Sequence, residues 1–300
     1  RLLTEEDFKI AVRAATIIGT LQAGYTTFPY LGETTETLCR REALLGVSIT
    51  GMMDSPAITL DPVLQQKMAK YAIEVNRELS LKIKTEPAAR LTCVKPAGST
   101  SLLLGTASGI HPRHARRYFR RVQANKSDPV YKFFNENNPH MCDESDWSAN
   151  KTDDVITFCV EAPEEAILRS ETSAMDLLKQ VHSTQQNWVL PGTARPESNP
   201  GLHHNVSNTL TVRDDEWDQV ADYIWENRSD FTGISMLAAS GDKMYQQAPH
   251  EEVVTAQDET LWNELISKFK AVDFTLMQEE SDATNPQGEV ACAGGACELV

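Results

Sequence analysis

The sequence is poor in long apolar runs and in basic residues. Its longest strongly apolar stretch, around "SLLLG", is far too short to cross a bilayer, and no basic-then-apolar signal segment opens the chain. Lys and Arg number 28 against 43 Asp and Glu, which gives a formal net charge of −15. This charge disfavours binding to nucleic acid and to anionic membranes. We therefore expect a cytoplasmic protein that binds neither.

Cysteine is also scarce, and the chain has no C-x-x-C pair of the kind that binds metals. Of six cysteines, two lie close together near the end of the chain, Cys292 and Cys297 in "ACAGGACEL". The scatter of the others is typical of a protein in a reducing compartment, and the sequence assigns no role to them. They are Cys39, Cys93, Cys142 and Cys159.

Two long amphipathic helices are predicted in the first third of the chain. In the first, Thr4 is the N-cap and acidic residues fill the first turn. The second has Asp61 as its cap and Pro62 at its first position. We expect one face of the first helix to be buried, formed by Phe8, Val12, Ala15, Ile18 and Leu21.

Short β-rich runs separate these and later helices, which predicts an α/β fold with mostly parallel strands. The runs are "LLGVSIT", "RLTCV", "DVITFCV" and "SNTLTV". The composition changes near residue 276, where large apolar residues become rare and acids and glycines common. We therefore predict one domain over residues 1–275 and a flexible tail over 276–300 that carries the terminal cysteine pair.

The densest chemical signal is "KPAGSTSLLLGTASGIHP", from Lys95 to Pro112, here called the anion loop. A predicted strand runs into small residues and then into an apolar stretch that suits a helix. Small residues allow backbone N–H groups and hydroxyls to converge on an anion. The alternative is a Gly/Ser turn between core elements, and the lysine precedes the glycine, so the segment is no Walker loop.

Five arginines follow this loop in an otherwise acidic chain: Arg113, Arg116, Arg117, Arg120 and Arg121. Their position favours an anion-binding role, whereas a solvated helix face and structural pairing with local acids are the alternatives. His203 and His204 are a weak metal signal, because adjacent side chains before a strand point in opposite directions and no third ligand has a suitable spacing. We expect no metal site there.

Three interpretations compete for Cys292 and Cys297. A zinc site requires two further ligands that the tail lacks, and inert thiols on an exposed tail bring redox liability without a packing benefit. A dithiol that exchanges with a disulfide elsewhere fits best, since the intervening glycines let the pair close. A flexible tail of about 25 residues reaches roughly 25–30 Å, which lets the pair travel between a buried site and solvent.

Together these segments resemble the C-terminal half of adenosylcobalamin-dependent (class II) ribonucleotide reductases. The resemblance rests on ordered motifs along nearly the whole chain, and the residues from Lys95 to Val122 are its most specific part. The first residue is Arg1, and we interpret the sequence as a piece of a longer polypeptide. The motifs are "RREALLGVSITGMMD", "KPAGSTSLLLGTASGIHPRHARRYFRRV", "HHNVSNTLTV", "YQQAPHEEV" and "CAGGAC".

The resemblance implies a fold, a cofactor and site residues. The family has a ten-stranded α/β barrel of two five-stranded halves, and this chain would supply the second half and the tail. Adenosylcobalamin would initiate thiyl-radical chemistry on ribonucleoside di- or triphosphates. The terminal pair, matching Cys292 and Cys297, would re-reduce the active-site disulfide and be reduced by thioredoxin or an equivalent dithiol. Substrate phosphates would be held by Ala97, Gly98, Ser99, Thr100 and Ser101.

The family's radical cysteine lies in a motif like N-P-C-x-E, which this sequence lacks. The radical cysteine, the acid–base glutamate and the reducible pair would therefore lie upstream, in the other half of the enzyme, and this chain alone would be inactive.

Three alternatives remain. The large subunit of a class I reductase would offer adjacent tyrosines near its end, and "SGDKMYQQAP" has only Tyr245. A nucleotide-binding remnant without catalysis would have no need for both tail cysteines. A standalone thiol–disulfide oxidoreductase would carry C-x-x-C at a strand–helix junction.

Overall fold

The computed structural model describes residues 2–240 and 245–277. These residues form two compact units. Unit 1 contains the described residues of Arg1–Arg113 and Pro163–Ser240, and unit 2 those of His114–Ala162 and Gly241–Val300. The single domain predicted over residues 1–275 therefore comprises two units, of which the second interrupts the first.

The helices and strands are numbered along the chain. The helices are α1 Glu5–Ala23, α2 Glu33–Glu42, α3 Pro56–Thr59, α4 Pro62–Ile83, α5 Gly98–Leu104, α6 Pro129–Asn137, α7 Ala174–Thr184, α8 Trp217–Glu226 and α9 Ala256–Lys268. The strands are β1 Val47–Ser48, β2 Thr92–Cys93, β3 Arg117–Asn125, β4 Cys142–Glu144, β5 Asp153–Glu161, β6 Leu210–Val212, β7 Met236–Ala238 and β8 His250–Glu252. Within these described elements, no helix combines the length and the apolar character needed to span a bilayer.

Both predicted helix starts are confirmed. The Thr4 hydroxyl accepts a hydrogen bond from the Asp7 backbone N–H at 3.1 Å, and the Asp7 carboxylate accepts one from the Thr4 N–H at 3.0 Å. This reciprocal capping box satisfies two donors that a helix start leaves unpaired. At α4, the Asp61 carboxylate accepts from the N–H groups of Val63 and Leu64.

The buried face of α1 differs from the predicted one. Phe8 and Val12 are buried as expected, but Ile18 is 65% exposed and Leu21 49% exposed. Thr16 and Thr20 are buried in their place. A buried hydroxyl requires a partner, and each threonine donates to the carbonyl oxygen four residues earlier at 2.7 Å. Local bonding therefore makes a threonine face suitable for the core.

Unit 1 contains parallel strands, as predicted. β1 pairs with β2 and β6 pairs with β7, both in parallel. A parallel bridge between Val94 and Val206 links the chain after β2 to the chain before β6. Apolar side chains of β1 and β6 pack with those of α1, α4 and α7 in one core that contains the fully buried Trp188.

Unit 2 is an antiparallel sheet in the order β4-β5-β3-β8. The prediction of mostly parallel pairing is wrong for this unit. "DVITFCV" is a strand, β5, but its partner β3 is the arginine-rich segment, for which a helix face was one interpretation. Buried and exposed side chains do not alternate regularly along β3, because the neighbours Tyr118 and Phe119 are both buried. Without that alternation the sequence did not indicate a strand.

Candidate phosphate-binding site

The anion loop leaves β2, forms the short helix α5 and returns through two glycines in the left-handed region. Gly105 ends α5 at φ +64° and Gly109 has φ +55°. A Cβ atom at Gly109 would lie 2.9 Å from the Lys95 carbonyl oxygen, closer than packing allows. Glycine at this position therefore lets the two ends of the loop approach each other.

Four of the five predicted phosphate ligands fall into two groups. The Ala97 N–H donates to the Ser108 hydroxyl at 3.1 Å, and the buried Ser101 hydroxyl donates to the Gly98 carbonyl at 3.0 Å, so both hold the loop itself together. Gly98 and Thr100 are exposed, and their N–H groups in the first turn of α5 have no acceptor within the described residues. The side chain of Ser99 lies outside the described part.

Two hydroxyl side chains, Ser48 at the end of β1 and Thr50 just after it, form hydrogen bonds to the backbone of the anion loop. The Ser48 hydroxyl accepts from the Lys95 N–H at 2.9 Å. The Thr50 hydroxyl donates to the Ala107 carbonyl at 3.1 Å and accepts from the Gly109 N–H at 3.0 Å. Both arms of the anion loop are therefore tied to one neighbouring segment.

A buried ion pair completes this support. The Arg113 Nε donates to Asp54 Oδ1 at 2.8 Å and its Nη2 donates to Asp54 Oδ2 at 2.9 Å. The same carboxylate accepts from the Ala107 N–H at 2.9 Å, and the same guanidinium donates to the Gly105 carbonyl at 2.6 Å. Arg113 thus holds the loop through Asp54 and through the Gly105 carbonyl. For this arginine the structure supports pairing with a local acid, one of the alternatives to anion binding.

Other arginines of the cluster lie in unit 2 and also bond to acids or carbonyls. Arg117 pairs with Glu259, and Arg121 pairs with Glu251. The Arg120 Nη1 donates to the Pro249 carbonyl at 3.1 Å. This geometry supports the interpretation that these side chains pair locally in unit 2.

His111, near the end of the anion loop, forms two hydrogen bonds that the sequence did not predict. Its Nε2 accepts from the Thr209 backbone N–H at 3.0 Å, so its Nδ1 carries the proton and donates to the Ser108 carbonyl at 3.2 Å. The bond accepted by Nε2 requires a neutral ring, and burial lowers the pKa of His111. Its place in "GIHP", just beyond two glycines, was the available signal.

The paired histidines make separate contacts. The ring Nδ1 of His203 lies 3.3 Å from the Thr193 hydroxyl, and that of His204 lies 3.2 Å from the Thr92 carbonyl. Across residues 2–240 and 245–277, no three His, Cys, Asp or Glu side chains come together as metal ligands.

Three cysteines of the described residues, Cys93, Cys142 and Cys159, lack the features of a reactive thiol. Burial raises the pKa of Cys93 to about 11 and that of Cys159 to about 11, and it also raises the pKa of Cys142. Cys39 is exposed on α2. A raised pKa leaves little thiolate near neutral pH. The predicted redox residues, Cys292 and Cys297, lie outside the described residues.

No family model matches the chain, but three similar proteins share one enzyme name. An adenosylcobalamin-dependent ribonucleoside-triphosphate reductase of Lactobacillus acidophilus is 25% identical over 239 residues, or 77% of this chain and 29% of the relative. The enzyme of the same name from Lactobacillus gasseri is 21% identical over 98% of this chain and 41% of its own length. A probable one from Dictyostelium discoideum is 22% identical over 77% of this chain and 28% of its own length.

A solved structure has the same fold. The crystal structure of a B12-dependent (class II) ribonucleotide reductase aligns with a TM-score of 0.64 and 19% identity, covering 85% of this chain and 39% of that one. The chain thus spans less than half the length of the relatives it matches. By sequence and by fold, it is similar to a part of the adenosylcobalamin-dependent ribonucleotide reductases.

Proposed function

We propose that this chain forms part of an adenosylcobalamin-dependent ribonucleotide reductase that converts ribonucleoside triphosphates to 2′-deoxyribonucleotides. The observation that carries the proposal is the match of 76–98% of the chain to relatives that share one name. Because those relatives are named triphosphate reductases, we propose a ribonucleoside triphosphate and not a diphosphate as the substrate. The parallel strands of unit 1 would belong to the second half of the family's barrel.

In this proposal the anion loop binds the substrate's phosphates. The N–H groups of Gly98 and Thr100 have no acceptor within the described residues, and a Cβ atom at Gly98 would meet no atom within 4 Å. A phosphate oxygen can therefore approach this backbone closely. Ala97 and Ser101 would keep the donors in position, and Ser99 would contribute its N–H.

The cofactor would be adenosylcobalamin, which supplies the initiating radical when it is bound. A cobalamin carries its cobalt in its own ring and requires no cluster of protein ligands, and the described residues contain none. We assign no residue of this chain to the cofactor.

The tail cysteines would act as the dithiol shuttle. Cys292 and Cys297 would reduce the active-site disulfide by thiol–disulfide exchange, and thioredoxin or an equivalent dithiol would then reduce them. The radical cysteine would belong to the upstream half of the enzyme, so the chain alone would not turn over.

The test joins this chain to the segment encoded upstream of it. Deoxyribonucleotide formation from ribonucleoside triphosphates is assayed with a small dithiol, with and without adenosylcobalamin. Product only with the cofactor supports the proposal. Product that requires a second radical-generating subunit assigns the chain to class I, and a folded assembly that binds nucleotide without turnover identifies a non-catalytic remnant.

A further inference from the structure

Unit 2 contains a cavity of about 630 Å³ that none of the roles above uses. Its walls include Gln123 of β3, Val155 of β5, Trp147 from the β4–β5 connection, and Tyr245 and Gln247 from the segment before β8. We call it the Trp147 pocket. Its volume lies in the range of small-molecule sites. Gln123 and Val155 are paired across the sheet, so its floor is rigid.

Trp147 is exposed and yet fixed. Its side chain lies against that of Tyr245, with ring centroids 5.7 Å apart and planes at 86°, and the two residues are 63% and 47% exposed. The Trp147 indole N–H donates to the Gln246 carbonyl at 3.0 Å. An indole whose polar group is bonded to backbone while much of its ring faces solvent is a suitable stacking platform for another ring.

The Gln247 side chain holds this arrangement together. Its amide oxygen accepts from the Asp146 N–H at 2.9 Å and its amide nitrogen donates to the Glu144 carbonyl at 2.8 Å. Gln247 itself has φ +56°, a conformation that costs energy for a residue with a side chain. The loop that carries Trp147 is thus clamped to the segment that carries Tyr245.

The polar groups of the pocket indicate which ring it accepts. Arg121 is the charged residue of the lining, and its charge is used by Glu251 and the Ala248 carbonyl, so the ligand needs no negative charge. Within the described residues, the Gln123 amide makes a single bond, from its nitrogen to Asp153 at 3.0 Å. One amide N–H and the amide oxygen remain, the donor–acceptor pair that a glutamine presents to adenine.

From these contacts we infer that the Trp147 pocket binds the base of a purine nucleoside, with the ring stacked on Trp147 and the edge of adenine bonded to Gln123. The inference is independent of the proposed function, because the ligand is recognised through its base and not through phosphate. The phosphate-free nucleoside adenosine is therefore the appropriate probe.

Binding of adenosine to the full chain is measured by equilibrium dialysis and by quenching of tryptophan fluorescence. We expect saturable binding, weakened at least about fivefold in Trp147→Ala, equivalent to about 1 kcal/mol, because the variant loses the aromatic ring on which the base stacks. Trp147→Phe should retain most of the affinity and shows that the loop stays folded. Trp225→Phe is the matched control, because Trp225 is also exposed, at 69%, but lies in unit 1 on Arg228.

Gln123→Met tests the edge contact. It should reduce the preference for adenosine over uridine, and an unchanged preference would refute the role of Gln123. The absence of saturable binding, or equal affinity in the wild type and Trp147→Ala, would overturn the site. Gly98→Asp should leave adenosine binding unchanged, so failure of this pocket and failure of the anion loop are distinguished.

Discussion

Asp54 and Arg113 form a two-point ion pair in unit 1 with only 1% and 4% of their side chains exposed. The pair also bonds to the Ala107 N–H and the Gly105 carbonyl. Every polar group of a buried pair requires a partner if the cost of desolvation is to be offset. The backbone of the anion loop provides two of those partners, so the pair and the shape of the loop depend on each other.

Arg113→Met should therefore destabilise the chain strongly, since it leaves the Asp54 carboxylate buried without its counter-charge. We expect a loss of about 3–5 kcal/mol in the free energy of unfolding, measured by urea denaturation. Lys82→Met is the control, because Lys82 pairs with Glu78 on the exposed face of α4 and its loss should leave the midpoint unchanged. Equal midpoints for both variants would contradict the structural role of Arg113.

Gly98→Asp should weaken nucleotide binding by about tenfold or more, equivalent to about 1.4 kcal/mol. The substitution places a carboxylate beside the N–H groups proposed to bind phosphate. Gly98→Ala is the matched control: the added methyl group meets no atom within 4 Å, so folding should change little, and the loss of affinity should be smaller than in Gly98→Asp because no charge is added. The affinity of each variant is measured by titration with a ribonucleoside triphosphate. Wild-type affinity in Gly98→Asp would refute the proposal that the anion loop binds phosphate.

Stability should fall as the pH decreases below about 6.5, the ordinary pKa of histidine. Burial lowers the pKa of His111 and of His204 in the folded chain. As the pH falls, these histidines therefore bind protons more readily in the unfolded chain than in the folded chain, and acid favours unfolding. Denaturation midpoints between pH 7.5 and pH 5.5 should show a smaller decrease in His111→Gln than in the wild type.

Trp225→Phe is the control for that experiment, because it changes an exposed side chain that carries no titratable group. We expect Trp225→Phe to retain the wild-type pH dependence. Identical pH profiles for the wild type and His111→Gln would show that His111 is not the responsible group.

Cys292→Ser should abolish multiple turnovers driven by thioredoxin in the assembled enzyme, because the proposed shuttle needs both thiols. A small dithiol should restore turnover by reaching the active-site disulfide directly. Cys39→Ser, which changes an exposed cysteine on α2, should have no effect on either assay. Normal thioredoxin-driven turnover in Cys292→Ser would exclude the shuttle.

Local signals predicted much of unit 1. A cap acts through the residues that immediately follow it, so Thr4 and Asp61 identified the starts of α1 and α4 from sequence alone. Three of the β-rich runs contain β1, β2 and β6, and the fourth lies within β5 of unit 2. The strand and the helix of the anion loop were also predicted, because the strand, the small residues and the apolar stretch follow one another in the sequence, although α5 already begins at Gly98, within the small residues.

Contacts between distant residues could not be predicted in this way. The bond between Asp54 and Arg113, and that between His111 and Thr209, join residues far apart in the sequence, so no spacing reveals them. The exposure of Ile18 and the antiparallel pairing of β3 likewise depend on what each surface meets in the folded chain. The sequence by itself determined helix starts, the composition of the loop and the kinship of the chain. Only the tertiary structure decided which arginines are buried with carboxylates and which backbone donors remain for a ligand, because burial and pairing are properties of the packed chain.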